Sequence, residues 1–168
     1  MDEGIQSRRS AFPERAGMIA IRSAAPADAR ALAELRWEFR AGKDAPVEDR
    51  GAFIERCAAW MSAELTAGAW RAWIAEAERR IIGQVWLRVL PKIPNPNGER
   101  DRHAYISNVY VTPSARGGVG TRLLDAAVAW ASVNQVDRIV LWPTLRSRSM
   151  YIRHGFTPNG EALELTCR

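Results

Sequence analysis

At 168 residues, the chain suits one domain and can bury well over half of the surface that its unfolded form would expose. Its apolar (47%) and charged (26%) fractions are ordinary for a globular protein, and no apolar run approaches the roughly 18–20 residues that span a bilayer. A formal charge of +5 favours an anionic partner, whether nucleic acid, a membrane or a phosphorylated cofactor, and the placing of the arginines decides among these.

Met1–Gly17 is polar and charged and lacks the apolar stretch of a secretory signal, so it reads as a disordered or loosely packed extension. The foldable pattern begins at Met18-Ile19-Ala20-Ile21, which makes Met18 a second candidate for the natural start, and residues 18–168 read as one domain. Ile19–Arg22 is a short strand. Pro26 then opens a helix whose apolar positions Leu32, Leu35 and Phe39 recur at helical spacing through about Arg40, where 41–46 breaks it. A second helix runs from about Asp49 to Thr66 with Phe53, Cys57, Trp60, Met61 and Leu65 on one face, closed by Gly68.

Trp70–Ala77 and Ile81–Leu90 are strands joined by Glu78-Arg79-Arg80 as an antiparallel hairpin. The proline-rich stretch 91–98 cannot donate a continuous ladder and suits a rim or lid. Ala104–Thr112 is a third long strand, and Thr121 to about Val133 is an amphipathic helix carrying Leu123, Leu124, Ala127, Val128 and Ala131. Asp137–Trp142 reads as a buried strand, which makes a right-handed parallel crossover. A short helix, about Ser147–Arg153, stops before Gly155, and Glu161–Thr166 alternates as a terminal strand. The class is α/β with a mixed sheet and no second domain. Cys57 and Cys167 match no metal-ligand spacing, so both are expected reduced, in a cytoplasmic protein without a bound metal.

The chemistry concentrates in Val109-Tyr110-Val111-Thr112-Pro113-Ser114-Ala115-Arg116-Gly117-Gly118-Val119-Gly120-Thr121, a strand, a proline exit, a glycine-rich turn and a helix start. Glycines let a backbone approach a ligand, and the first N–H groups of a helix have no internal partner. With the helix's partial positive charge and Arg116, this is a place suited to a pyrophosphate. A glycine cluster alone also serves a tight turn. Neither a P-loop nor the dinucleotide-binding Gly-x-Gly-x-x-Gly is present.

Here the sequence resembles the GNAT (Gcn5-related N-acetyltransferase) superfamily, whose pyrophosphate loop reads Arg/Gln-x-x-Gly-x-Gly/Ala after a strand ending Val-x-Pro and before a helix with a Leu-Leu pair. Arg116, Gly118, Gly120 and Leu123-Leu124 match in kind, with the loop one residue shorter. Either Ala115 takes the usual Arg/Gln position or the loop is tighter. Tyr151 before His154-Gly155-Phe156 resembles the family's tyrosine that often protonates the thiolate of CoA, and Thr144 stands where many members have asparagine. The resemblance implies a mostly antiparallel mixed sheet, splayed at the cofactor site and flanked by helices, with acetyl-CoA as cosubstrate and an amine acceptor.

It also implies a bulge within Asn108–Val111, with backbone groups of Val109 and Val111 on the pantetheine. Arg116, Gly117, Gly118, Val119, Gly120 and Thr121 would cradle the pyrophosphate, and Thr144, Ser147 and Tyr151 would complete the cofactor groove. The catalytic candidates are Tyr151 as acid, Glu38 as base and Asn108, with Ser107, to orient the amine or a water; Glu76 and His103 are further base candidates. The tryptophans sit mostly within apolar patterns and read as core, except Trp37, which lies off its helix's apolar face and suits the acceptor pocket or a homodimer contact. Arg116, Arg122, Arg146, Arg148 and Arg153 cluster around the expected groove rather than in a stripe with aromatics, which argues against a nucleic-acid module. A non-catalytic acyl-CoA sensor on the same fold is the other alternative.

Overall fold

The computed structural model describes residues 18–43, 45–158, 160 and 165. The expected extension at Met1–Gly17 and all but one residue of the expected strand Glu161–Thr166 lie outside them. The chain runs β1 (Ala20–Ser23), a 3-10 turn (Pro26–Asp28), α1 (Ala29–Ala41), α2 (Arg50–Ala67), β2 (Trp70–Ala77), β3 (Arg80–Pro91), β4 (Arg102–Val111), a second 3-10 turn (Pro113–Ala115), α3 (Val119–Val133), β5 (Arg138–Val140) and α4 (Arg148–Arg153). The sheet order is β1-β2-β3-β4-β5. The first four strands pair antiparallel, and β4 pairs β5 in parallel, as a strand–helix–strand connection requires.

Helices cover both faces of the central strands, so β2 and β3 are buried continuously at 72–75 and 83–87 rather than at alternate positions. Trp73, Ala75, Val85 and Leu87 face α3 and meet Leu123, Leu124, Ala127 and Ala131. Ala72, Ile74 and Trp86 face the opposite way, onto Leu32 and Ala33 of α1 and Ile54 and Met61 of α2. Between α1 and the sheet lies Gln84, wholly buried, whose Nε2 donates to the Leu32 carbonyl at 3.1 Å and whose Oε1 accepts from Trp86 Nε1 at 2.7 Å. Its amide is tolerated because both ends are satisfied, and it fixes α1 against β3.

Local signals explain the element ends. Asp49 accepts from the Ala52 N–H at 3.1 Å and caps α2, and Gly68 at φ 69° closes it. The β2–β3 turn holds Glu78 and Arg79 both left-handed, at φ 49° and 63°, as a two-residue hairpin demands. Three expectations need correction. On α2, Met61 is buried and Phe53, Cys57 and Leu65 pack beside it as expected, but the most buried residue at its start is Ile54 and Trp60 is 46% exposed, because the inward face is centred nearer Ile54 and Met61. Among the described residues β5 keeps only three paired residues and is the last strand of the sheet, with Val140 exposed. The 91–98 stretch is no lid: it is the β3–β4 hairpin tip, closed by Glu99, which accepts from Lys92, Asn95 and Asn97. Those three donors hold the Glu99 carboxyl down to about 2. Among the described residues no helix is long and apolar enough to cross a membrane.

Candidate active site

The β3–β4 ladder pairs Gln84 with Tyr110 and Trp86 with Ser107, so Asn108 and Val109 together oppose Val85. This two-against-one count is a β-bulge, and Asn108 takes φ 54°, a left-handed conformation that asparagine tolerates better than most side chains. Arg36 of α1 donates to Asn108 Oδ1 at 3.2 Å and holds it there. On its other side β4 loses its partner: pairing with β5 ends at Tyr105↔Val140. Leu141 and Trp142, expected in the strand, leave the ladder and diverge from β4. The resulting cleft, about 320 Å³, is lined by Ile106–Val109 on one side and by Leu141, Trp142, Thr144, Ser147 and Tyr151 on the other. The sheet is splayed at the place the resemblance implied.

From the end of β4, a 3-10 turn, an extended Arg116 and two left-handed glycines, Gly117 at φ 127° and Gly118 at φ 89°, carry the chain into α3. That compact turn lets α3 begin at Val119, two residues earlier than the periodicity suggested. A side chain at Gly117 or Gly118 would meet no heavy atom within 4 Å, so both combine the required backbone conformation with open space above it. The first N–H groups of α3 border that space. Gly120 differs: a Cβ there would touch Met150 Sδ at 3.5 Å and Val111 Cγ2 at 3.8 Å, so its small size serves packing. Arg116 is exposed. Arg122 is turned to another use, donating to the Ile19 carbonyl at 2.9 Å.

Tyr151 is 7% exposed, packs edge-on against Phe156 with ring centroids 5.7 Å apart, and lines the splay. Burial pushes its hydroxyl up to about 12, so it keeps its proton throughout the neutral range. Thr144 and Ser147 satisfy one another: their hydroxyls lie 2.9 Å apart, and each accepts from the other's backbone N–H. They build the turn that starts α4.

A second cavity of about 400 Å³ opens on the α1–α2 side of the sheet, walled by Phe53, Cys57, Trp60, Met61, Trp70 and Trp86 and bordered by Arg36, Arg56, Ser107 and Asn108. The three indoles pack at 5.9–6.3 Å. Arg36, Ser107 and Asn108 also line the splay, so the bulge is where the two cavities meet. Burial raises the Cys57 thiol and lowers Arg36 from its ordinary value. The sequence reading missed Arg36 and the tryptophan wall, since nothing local marks one arginine of α1 or says which helix covers Trp86.

The base candidates do not converge. Glu38 lines neither cavity and accepts from Tyr110 Oη at 3.5 Å. Glu76 is taken up by Arg22 at 2.9 Å. His103 faces Asp137 at 3.6 Å, and five residues of strand, roughly 17 Å, separate it from Asn108. Trp37 packs on Phe53 at 5.5 Å and borders neither cavity.

Residues 29–156 match the model of the acetyltransferase (GNAT) family. A crystal structure of a predicted acetyltransferase with acetyl-CoA from Clostridium acetobutylicum superposes with a TM-score of 0.75 at 27% identity, covering 89% of this chain and 96% of that one. A GCN5-related N-acetyltransferase from Ralstonia eutropha JMP134 gives 0.73 at 25% identity, over 89% and 99% of the two chains. An aminoglycoside N-acetyltransferase in complex with CoA gives 0.67 over 94% and 99%, and at 17% identity speaks for the fold alone. No curated protein sequence matches significantly.

Proposed function

The chain belongs to the acetyltransferase (GNAT) family, and from that premise we propose that it transfers an acetyl group from acetyl-CoA to a primary amine of a small molecule or peptide by direct attack on the thioester. One observation carries the reading: two cavities approach the same bulge from different sides and share Arg36, Ser107 and Asn108. A reaction between two substrates needs such a meeting point.

The residues fit acetyl-CoA on structural grounds. The open space over Gly117 and Gly118, the unpaired N–H groups of α3's first turn at Val119, Gly120 and Thr121, and the Arg116 charge suit a pyrophosphate. The gap beyond Tyr105 exposes one edge of β4, where the backbone of Val109 and Val111 would bind the pantetheine. When bound there, acetyl-CoA supplies an activated acyl group on a tolerable leaving thiolate. Asn108 and Ser107 orient the amine at the bulge. Arg36 disfavours an ammonium beside it and so helps the amine shed its proton before attack. Tyr110 and Glu38, 3.5 Å apart, line neither cavity, so water takes the proton that the amine loses. Tyr151, held protonated by burial, donates toward the departing sulfur. Thr144 and Ser147 act through the turn that sets α4 and thereby Tyr151.

The experiment is a panel of primary amines with a thiol probe for released CoA, alongside thermal melts. Acetyl-CoA raises the melting temperature whereas ATP and NAD do not, and at least one amine releases CoA. Equal shifts with ATP would remove the cosubstrate assignment. Acetyl-CoA stabilisation with no turnover on any amine would leave a non-catalytic acyl-CoA sensor.

A further inference from the structure

The second cavity is specific about charge and shape. None of the described residues that line it is acidic, and two are arginines. Arg56 is neutralised by Glu48, with contacts of 3.1 and 2.6 Å. Arg36 is not: among the described residues its polar partner is the neutral amide oxygen of Asn108 at 3.2 Å, with the Phe39 ring 5.8 Å from the guanidinium carbon. A half-buried guanidinium without a carboxylate is costly to maintain. It stands at the bulge, where the acceptor's amine must arrive, and its planar fork is matched to a carboxylate.

The remaining walls are Phe53, Met61 and the faces of Trp60, Trp70 and Trp86. Trp86 Nε1 is already bonded to Gln84, so this indole offers its surface rather than its donor. Trp60, although aromatic, is 46% exposed, an apolar surface left open beside the cavity. The volume of about 400 Å³ lies within the range of small-molecule sites, roughly 300–1,000 Å³.

Resting on the acetyltransferase reading above, we propose that the acceptor is an amino acid-like amine, with a carboxylate that Arg36 binds next to the reacting nitrogen and a flat apolar side group that lies among Phe53, Trp60, Trp70 and Trp86. A polycationic amine is disfavoured by the same surface, since it would meet the uncompensated guanidinium of Arg36, while the one carboxylate nearby, Glu48, is already engaged by Arg56. In that respect the cavity is built for a different acceptor from the aminoglycosides named for one structural neighbour.

The test pairs each aromatic amino acid with its decarboxylated counterpart: L-phenylalanine with phenethylamine and L-tryptophan with tryptamine, plus L-alanine and spermidine. Turnover with acetyl-CoA is read together with calorimetric binding of each amine to the CoA complex. The expected result is that the carboxylate improves kcat/KM and affinity by roughly 10- to 100-fold, the gain of a charge-assisted contact, and that alanine and spermidine are poor. Arg36→Met should abolish the preference for the acid over the amine while acetyl-CoA still raises the melting temperature, and Arg36→Lys should restore part of it. Equal use or binding of phenylalanine and phenethylamine, or a preference for spermidine, would overturn the proposal. Preferential binding of phenylalanine without CoA release would uphold the pocket and defeat the transfer reading.

Discussion

Tyr151→Phe removes one oxygen and keeps the ring packed on Phe156. The hydroxyl has no hydrogen-bond partner among the described residues, and burial alone raises it to about 12. A thiol titrates near ~8.5, so full proton transfer from Tyr151 to a water-exposed thiolate runs uphill by roughly 3.5 pKa units, about 5 kcal/mol. The useful contribution is therefore a charge-assisted hydrogen bond to sulfur as negative charge builds, worth about 1.5–3 kcal/mol, or roughly 10- to 150-fold in rate. This lies at the low end of general-acid effects, about 10²–10⁴. Steady-state kinetics with a thiol probe and calorimetric CoA titration should show kcat reduced by that factor and the CoA Kd nearly unchanged. The melting temperature should hold, because the hydroxyl lines the open splay and its removal breaks no hydrogen bond among the described residues. Wild-type kcat would return Tyr151 to packing, and a loss of CoA affinity alone would make it a binding residue.

Gly118→Asp should abolish measurable CoA binding while the fold survives, because open space receives the side chain and the left-handed φ of 89° costs only about 1–2 kcal/mol. Gly120→Ala, whose Cβ makes ordinary contacts with Met150 and Val111, should leave affinity within a few-fold, and calorimetry on both variants separates a phosphate cradle from a mere turn. Asp28 accepts from Arg22 at 2.8 and 2.9 Å and from the Ala25 N–H at 2.7 Å, and the Arg22 bond, first of these, holds its carboxyl below the ordinary carboxylate value. A depressed carboxyl stabilises the fold above its unfolded pKa near 3.8 and loses that contribution as pH falls through the native value. Asp28→Asn should thus cost about 1 kcal/mol at pH 7 by thermal melts, with the gap from wild type closing below about pH 4.

What the sequence determined by itself is what one stretch of backbone decides alone. The passage from β4 through Gly117 and Gly118 into α3 is legible because two glycines and a free helix start act locally, and residues 123–131 repeat at the helical period. The β2–β3 hairpin and the Asp49 and Gly68 boundaries of α2 follow for the same reason. Tertiary structure alone decided which side chains meet across long separations. Arg36 and Asn108 are 72 residues apart, and Gln84 reaches Leu32 over 52. Whether they touch depends on how far α1 is rotated about its axis and on strand register, where one residue turns a helix face by about 100° or flips a strand's faces outright. The setting of α2 on the sheet likewise buried Ile54 and left Trp60 on the cavity wall, and the splay ended β5 before Leu141 and Trp142. The glycine-rich turn therefore belongs to the sequence, and the cavity walled by the tryptophans to the packing of α1 and α2 on the sheet.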